Sequence, residues 1–118
     1  MLLWLVASNC GRIRSQLFFS RRNVSAGVVQ GVARSKLYAW DAANVENMLN
    51  NSAPVCAVFN GHDHRGGYSV NQGVHYIAIE AVLESPEDST AYAFVDLFSE
   101  ELVITGFGTV SSRKCDLR

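Results

Sequence analysis

The stretch Val55-Cys56-Ala57-Val58-Phe59-Asn60-Gly61-His62-Asp63-His64-Arg65-Gly66-Gly67 holds both the clearest structural signal and the clearest chemical signal of the chain. The apolar run after Pro54 predicts a buried strand over Val55–Phe59. The polar, glycine-rich residues 60–67 that follow predict a loop. Because rigid scaffolds often hold functional groups on loops that leave their strands, we expect the chemistry of the protein to be concentrated here.

Within this loop, His62 and His64 stand two positions apart, so their imidazoles can point to a shared volume. Imidazole nitrogen binds Zn, Mn, Fe and Ni ions well. We expect Gly61 to permit a tight exit from the strand, and Gly66 and Gly67 to let the backbone approach a ligand closely. The alternative is that both histidines are merely solvated loop residues.

The segment before the strand predicts a short helix. Asp41 can cap its first turn by accepting hydrogen bonds from free backbone amides. Val45, Met48 and Leu49 then fall at i, i+3 and i+4, which is the spacing of one apolar helix face that ends near Asn50 and Asn51.

The segments after the loop predict further strands and turns. Both faces of Val74–Leu83 are largely apolar, so we expect this strand to be central and covered on both sides. The other expected elements are a short strand Tyr68–Val70, a turn at residues 71–73, a hairpin of Thr90–Phe98 with Leu102–Phe107, and a polar, frayed tail over Ser111–Arg118. The predicted class is α/β: a short helix, a strand, the site loop and then antiparallel strands.

Charge divides the chain unevenly, although 10 basic and 11 acidic residues give 118 residues a net charge of only −1. Residues 1–40 contain six bases and no acid (+6), whereas residues 41–118 contain four bases and all eleven acids (−7). The acidic part argues against nucleic-acid binding by phosphate neutralisation. An apolar content of 48% argues against general disorder, and no apolar stretch reaches the length of a membrane span.

The acid-free, Arg- and Ser-rich beginning has two interpretations. Its composition is typical of an organellar transit peptide, and the alternative is an atypical start to a domain in a cytoplasmic protein. Cys10, Cys56 and Cys115 are few and widely spaced, so we expect structural thiols in a reducing compartment. We place this leader or atypical segment at residues 1–34, a domain at 35–112 and a polar tail at 113–118.

Beyond the loop, a longer pattern resembles a known family. Gly61-His62-Asp63-His64 resembles the last metal motif, Gly-His-x-His, of calcineurin-like metallophosphoesterases. The pattern is most similar to the manganese-dependent ADP-ribose/CDP-alcohol diphosphatases, and it covers about residues 35–112. Its other parts are Leu37-Tyr38-Ala39-Trp40, Gly66-Gly67-Tyr68, Gly73-Val74-His75-Tyr76, Ile79-Glu80-Ala81-Val82-Leu83-Glu84, residues 86–89 and Gly106-Phe107-Gly108.

The resemblance implies the C-terminal portion of a metallophosphoesterase-type β-sandwich with flanking helices. It also implies a pair of divalent metal ions, manganese foremost with iron or zinc as alternatives, and a small phosphorylated nucleotide-type substrate. By the family's motif, His62 binds one ion and His64 the other. Asp63 lies between them as an exposed or supporting residue. His75 and Glu80 match positions typical of the subfamily, where they either orient imidazoles or serve in packing.

Other family motifs are missing from this sequence. No acid precedes Asp41 to form the Asp-x-His and Gly-Asp motifs, and the chain has only three histidines. We therefore expect a fragment or truncated product in which at most one sheet survives. In that case the apolar strand Val74–Leu83 would lack part of its cover, and we expect an exposed apolar face with self-association or poor solubility.

Three functions follow from these observations. The first is a metal-dependent phosphohydrolase of nucleotide-diphosphate compounds, which is active only if a longer product or a partner supplies the other ligands. The second is a non-catalytic remnant or β-rich interaction module. The third is a small protein that binds one metal ion through His62, His64 and His75.

Overall fold

The computed structural model describes residues 16–20, 22 and 39–117. Within these ranges one α-helix, one short 3-10 helix and seven strands form. In chain order the elements are β1 (Gln16–Ser20), α1 (Ala42–Asn50), β2 (Val55–Asn60), β3 (Gly67–Asn71), β4 (Val74–Ala78), the 3-10 helix (Val82–Glu84), β5 (Ala91–Leu97), β6 (Glu101–Gly108) and β7 (Arg113–Asp116).

The strands form two sheets. The four-stranded sheet has the order β1-β2-β4-β3, and the three-stranded sheet has the order β5-β6-β7. The hairpins β3–β4 and β5–β6 are antiparallel as the sequence predicts, and Gln72 and Gly73 form the first turn with φ of 50° and 76°. The sequence does not predict that β2 also pairs in parallel with β1 and β4. The mixed α/β class is confirmed.

One hydrophobic core lies between the two sheets. Its members come from both sheets and include Cys56, Ala57, Phe59, Ile77, Ile79, Val95, Leu97, Leu102, Ile104, Val110 and Cys115. Each fully buried large aliphatic or aromatic side chain contributes about 1.5–3 kcal/mol relative to exposure. The expectation that Cys56 and Cys115 are structural is confirmed, since both are buried free thiols. Cys10 lies outside the described residues.

Helix α1 covers the other face of the four-stranded sheet. Leu49 packs there in a second cluster with Val55, Val58, Val74, Tyr76 and Ala78. The Tyr76 hydroxyl donates a hydrogen bond to Asn50 Oδ1 at 2.7 Å. The helix begins after Asp41 as predicted, but the Asp41 side chain makes no capping bond. In the described part of the chain, no helix has the length and apolar character that a membrane crossing requires.

Strand β4 is central and covered on both sides, because all of Val74–Ala78 is buried. Two sheets are present, so the expectation that at most one survives is wrong, and so is the expectation that this strand is uncovered. The predicted strand also continues too far. After Ala78 the chain leaves the sheet for the 3-10 helix, where Val82 and Leu83 are exposed.

The two ends of the described chain also differ from expectation. The tail is not frayed over Arg113–Asp116, because this segment pairs with β6 and buries Cys115 between the sheets. Gln16–Ser20, which falls in the predicted leader, pairs with β2. Residues 1–15, 21 and 23–38 lie outside the described residues, so the transit peptide stays a prediction.

Candidate metal-binding loop

The loop over residues 61–66 leaves the carboxyl end of β2, beside the carboxyl end of the parallel strand β4. Two backbone bonds join it to the chain that follows β4. Ile79 N–H donates to the oxygen of Asn60, and Ala81 N–H donates to the oxygen of His64, both at 3.0 Å. Ligands of open α/β sheets bind outside the carboxyl ends of the strands, so both histidines lie where such sites occur.

His62 is exposed and adopts a left-handed backbone with φ of 75°. A non-glycine residue in this region costs about 1–3 kcal/mol and persists only where its surroundings determine it. The sequence predicts that Gly61 makes the tight exit, but the left-handed residues of the loop are His62 and Gly66. The strain therefore falls on a residue that the family motif assigns to metal binding.

Asp63 is buried, so of the two roles that the sequence leaves open, exposed or supporting, the exposed one is wrong. Its carboxylate accepts hydrogen bonds from the Arg65 backbone N–H at 3.2 Å, from Arg65 Nε at 3.2 Å and from Arg65 Nη2 at 3.3 Å. Hydrogen bonding to Asp63 and its negative charge raise the pKa of the Arg65 guanidinium. Asp63 thus fixes the turn around His64 by holding Arg65, two positions further along the chain.

His64 is partly exposed, and its Nδ1 lies 2.9 Å from Glu84 Oε1. Glu84 ends the 3-10 helix that follows β4. The sequence pattern contains Glu84 within the resembling segment, but sequence reasoning does not assign it a role. A carboxylate beside a ring nitrogen of a candidate ligand is a common arrangement around metal sites, and this contact brings an unpredicted residue into the site.

Gly66 lies against Glu80. With φ of +72°, a Cβ at Gly66 would lie 2.7 Å from Glu80 Cγ and Cδ. Glu80 Oε1 in turn accepts hydrogen bonds from Ser111 Oγ at 2.8 Å and Ser111 N at 3.3 Å. Glu80 therefore packs against the loop at Gly66 and bonds to the connection between β6 and β7, while Gly67 begins β3.

His75 lies away from the loop contacts and is buried between the sheets. Its Nδ1 is 2.8 Å from the Tyr68 hydroxyl, and its Nε2 is 2.8 Å from the backbone oxygen of Asp116. The guanidinium of Arg113 covers the Tyr68 ring at 4.3 Å. Of the two roles that the sequence leaves open, this geometry favours packing, because both ring nitrogens bond to other partners.

Asn60 is a second residue that the sequence does not single out. It is 1% exposed at the end of β2, and neither its Oδ1 nor its Nδ2 has a hydrogen-bond partner in the described part of the chain. A buried amide without a partner costs about 1–3 kcal/mol. The last strand residue before the histidine loop is therefore held at a cost in stability.

The histidine loop can supply two imidazole donors to a metal centre. The described residues do not supply a third donor close to them. Across residues 16–20, 22 and 39–117, no three His, Cys, Asp or Glu side chains are grouped closely enough to hold a metal ion. Zinc sites normally have three or four protein ligands. A site for one ion formed by His62, His64 and His75 is therefore wrong.

Comparisons with known proteins agree with the sequence resemblance, although no family model matches the chain. The manganese-dependent ADP-ribose/CDP-alcohol diphosphatase of Arabidopsis thaliana is 32% identical over 83 residues, which are 70% of this chain and 27% of that protein. The protein of the same name from Bos taurus is 30% identical over 114 residues, 90% of this chain and 34% of that protein.

A solved structure gives the same result for the fold. The crystal structure of a dimetal phosphatase from Danio rerio matches with a TM-score of 0.78 and 28% identity, over 86% of this chain and 32% of that one. The chain spans about a quarter to a third of the length of these relatives. It is a metallophosphoesterase-like partial relative of the manganese-dependent ADP-ribose/CDP-alcohol diphosphatases.

Proposed function

We propose that this chain supplies His62 and His64 to the metal centre of a phosphohydrolase that cleaves nucleotide-diphosphate compounds of the ADP-ribose/CDP-alcohol type. The observation that carries the proposal is the placement of both exposed imidazoles on one loop at the carboxyl end of β2. The names of the relatives support the substrate class and the dependence on manganese.

Manganese is the first choice of metal, and imidazole also suits iron and zinc. A pair of divalent ions in such a site supplies a water of lowered pKa and positive charge for the phosphoryl oxygens. The residues around the two histidines of this chain fix the shape of the loop. The Asp63–Arg65 bonds and the bond from Ala81 N–H to the oxygen of His64 hold the loop in one shape, which includes the left-handed backbone of His62.

The proposed activity needs further ligands, because the described residues contain no complete donor group. We propose that these ligands come from outside the described residues, in a longer product or a partner chain. The same observation favours a second candidate function, in which this chain is a non-catalytic β-rich module that binds metal weakly or not at all.

Metal analysis and a hydrolysis assay on this chain separate the two functions. The assay uses ADP-ribose and a CDP-alcohol with added Mn²⁺, and it compares the wild type with His62→Ala and His64→Ala. Glu87→Ala is the matched control, because Glu87 is an exposed carboxylate in the turn after the 3-10 helix. Turnover that both histidine variants lose supports the enzyme. If the chain shows no turnover and binds no stoichiometric metal, catalysis by this chain alone is excluded.

We also propose that the chain self-associates through the outer face of the three-stranded sheet. The sequence predicts an exposed apolar face on Val74–Leu83 instead. Tyr92, Phe94 and Phe107 are 47%, 45% and 38% exposed on the outer face of the three-stranded sheet, and their rings contact one another. Sedimentation velocity of Phe94→Lys against the wild type tests this. A wild type that stays monomeric at high concentration would contradict it.

A further inference from the structure

The pair His64–Glu84 has a geometry that determines which ring nitrogen of His64 faces outward. Glu84 Oε1 lies 2.9 Å from Nδ1 of His64, and the two side chains are 62% and 43% exposed. Ion pairs with this exposure contribute little to stability. We therefore expect this contact to contribute little to the stability of the fold.

The backbone holds both partners of this pair in one frame. Ala81 N–H donates to the oxygen of His64 at 3.0 Å, and Glu84 N–H donates to the oxygen of Ala81 at 3.2 Å. Ala81 thus bonds to the residue that carries the imidazole and to the residue that carries the carboxylate. Because the frame consists of backbone bonds, it survives changes in the Glu84 side chain.

The chemistry of the pair selects a tautomer. A carboxylate accepts hydrogen bonds and cannot donate one, so the Nδ1 that faces it must carry the proton. The neutral ring then has its lone pair on Nε2. Carboxylates and carbonyls that bind one ring nitrogen of a metal-ligating histidine fix the tautomer and orient the ring in this way.

We propose that Glu84 is a positioning residue that keeps His64 protonated on Nδ1 and presents Nε2 as the donor to a divalent cation. The proposal depends on the proposed function for the presence of a metal ion, whereas the tautomer of His64 does not depend on it. Among residues 16–20, 22 and 39–117, the Glu84 side chain contacts His64 and has no second hydrogen-bond partner. The proposed effect of Glu84 is therefore limited to the proton on Nδ1 of His64.

The test measures the tautomer of His64 directly. Long-range ¹H–¹⁵N spectra of the full chain, labelled with ¹⁵N-histidine and free of metal, distinguish the two neutral tautomers at a pH above the ordinary histidine pKa of about 6.5. The His64→Ala spectrum assigns the signals. Glu84→Ala removes the acceptor, Glu84→Gln keeps the length and removes the charge, and Glu87→Ala is the control that removes a carboxylate elsewhere.

We expect the Nδ1-protonated form to predominate for His64 in the wild type and in Glu87→Ala. It should decline in Glu84→Gln and fall furthest in Glu84→Ala. A His64 tautomer that is the same in the wild type and in Glu84→Ala would overturn the proposal, and so would a wild-type ring protonated on Nε2.

A titration with Mn²⁺, followed by paramagnetic broadening of the His64 signals, separates this inference from the proposed function. Loss of such a supporting bond typically lowers metal affinity about 10–100-fold, so Glu84→Ala should bind Mn²⁺ correspondingly more weakly than Glu87→Ala. Equal affinities would overturn the positioning role and leave the proposed function standing. A Glu84-dependent tautomer with no Mn²⁺ binding by the wild type would support the pairing and favour the second candidate function, a non-catalytic module, for this chain alone.

Discussion

His75 Nε2 lies 2.8 Å from the backbone oxygen of Asp116, so a side chain of the four-stranded sheet bonds directly to β7 of the three-stranded sheet. The other ring nitrogen faces the hydroxyl of Tyr68 on the neighbouring strand. One buried imidazole therefore bonds to two polar groups at the boundary of the two sheets.

Replacing this imidazole with an apolar ring should destabilise the fold without changing the loop. In His75→Phe the Tyr68 hydroxyl and the Asp116 oxygen lose their hydrogen bonds to the imidazole. A hydrogen bond contributes about 0.5–1.5 kcal/mol, so urea unfolding should show a loss of about 1–3 kcal/mol for the two bonds. Because both ring nitrogens of His75 bond within the protein, Mn²⁺ binding by the folded variant should match the wild type, and weaker binding would contradict its packing role.

Stability should decline in alkaline solution. Burial is the main cause that raises the pKa of the Cys115 thiol above its ordinary value of 9.0, and burial likewise raises the pKa of Tyr68 above 10.0. In both cases the folded state keeps its proton longer than the unfolded state. Their contribution is therefore fully present below the unfolded-state pKa values and is lost as the pH rises through the folded-state values.

Urea unfolding at neutral pH and at increasing alkaline pH measures this decline. Tyr68→Phe should reduce its slope, because the phenol no longer ionises. Tyr92→Phe is the matched control, since Tyr92 lies exposed on the outer face of β5. A decline of equal slope in the two variants would refute the assignment to Tyr68.

Two buried asparagines should respond differently to the same substitution. Asn50→Ala removes the nearer acceptor of the Tyr76 hydroxyl, Asn50 Oδ1 at 2.7 Å, and leaves the backbone oxygen of Glu46 at 3.5 Å, so the expected cost is about 1 kcal/mol. Asn60→Ala removes two polar atoms that have no partner in the described part of the chain, so its cost should be smaller. Thermal unfolding ranks the two variants, and equal costs would show that Asn60 is satisfied.

The contact between Gly66 and Glu80 should appear as an interaction energy between two substitutions. Gly66→Ala strains a backbone with φ of +72° and puts Cβ 2.7 Å from Glu80 Cγ and Cδ. The backbone strain costs about 1–3 kcal/mol in any background. In a Glu80→Ala background the steric part disappears, so Gly66→Ala should be less destabilising there. Additive effects of the two substitutions in urea unfolding would show that Glu80 moves aside freely.

The sequence predicts the buried strand, the histidine loop and the hairpins well, because each of them has a local signal. Val55–Phe59 is a continuous apolar run, and the glycines around His62 and His64 mark a loop. The central position of β4 is also predictable, since a strand with two apolar faces needs cover on both. These features depend on neighbours in the chain and on burial alone.

The missed features depend on partners that are distant in the chain. Arg113–Asp116 is mostly charged and resembles a tail, and it becomes a strand because Cys115 fills the core and the backbone pairs with β6. Asp63 is polar and stands in a glycine-rich loop, so its burial is visible only once Arg65 folds back onto it. The role of Glu84 requires a contact across twenty positions, between two exposed side chains.

The parallel pairing of β1 with β2 has a consequence for the order in which the molecule assembles. The hairpins β3–β4 and β5–β6 join neighbours and close short loops, whereas β1 must find β2 across the long interval between residues 20 and 55. Pairings at large sequence separation form slowly, because loop-closure entropy is lost before they stabilise the chain. In hydrogen exchange, the amides of β1 should therefore gain protection last during refolding.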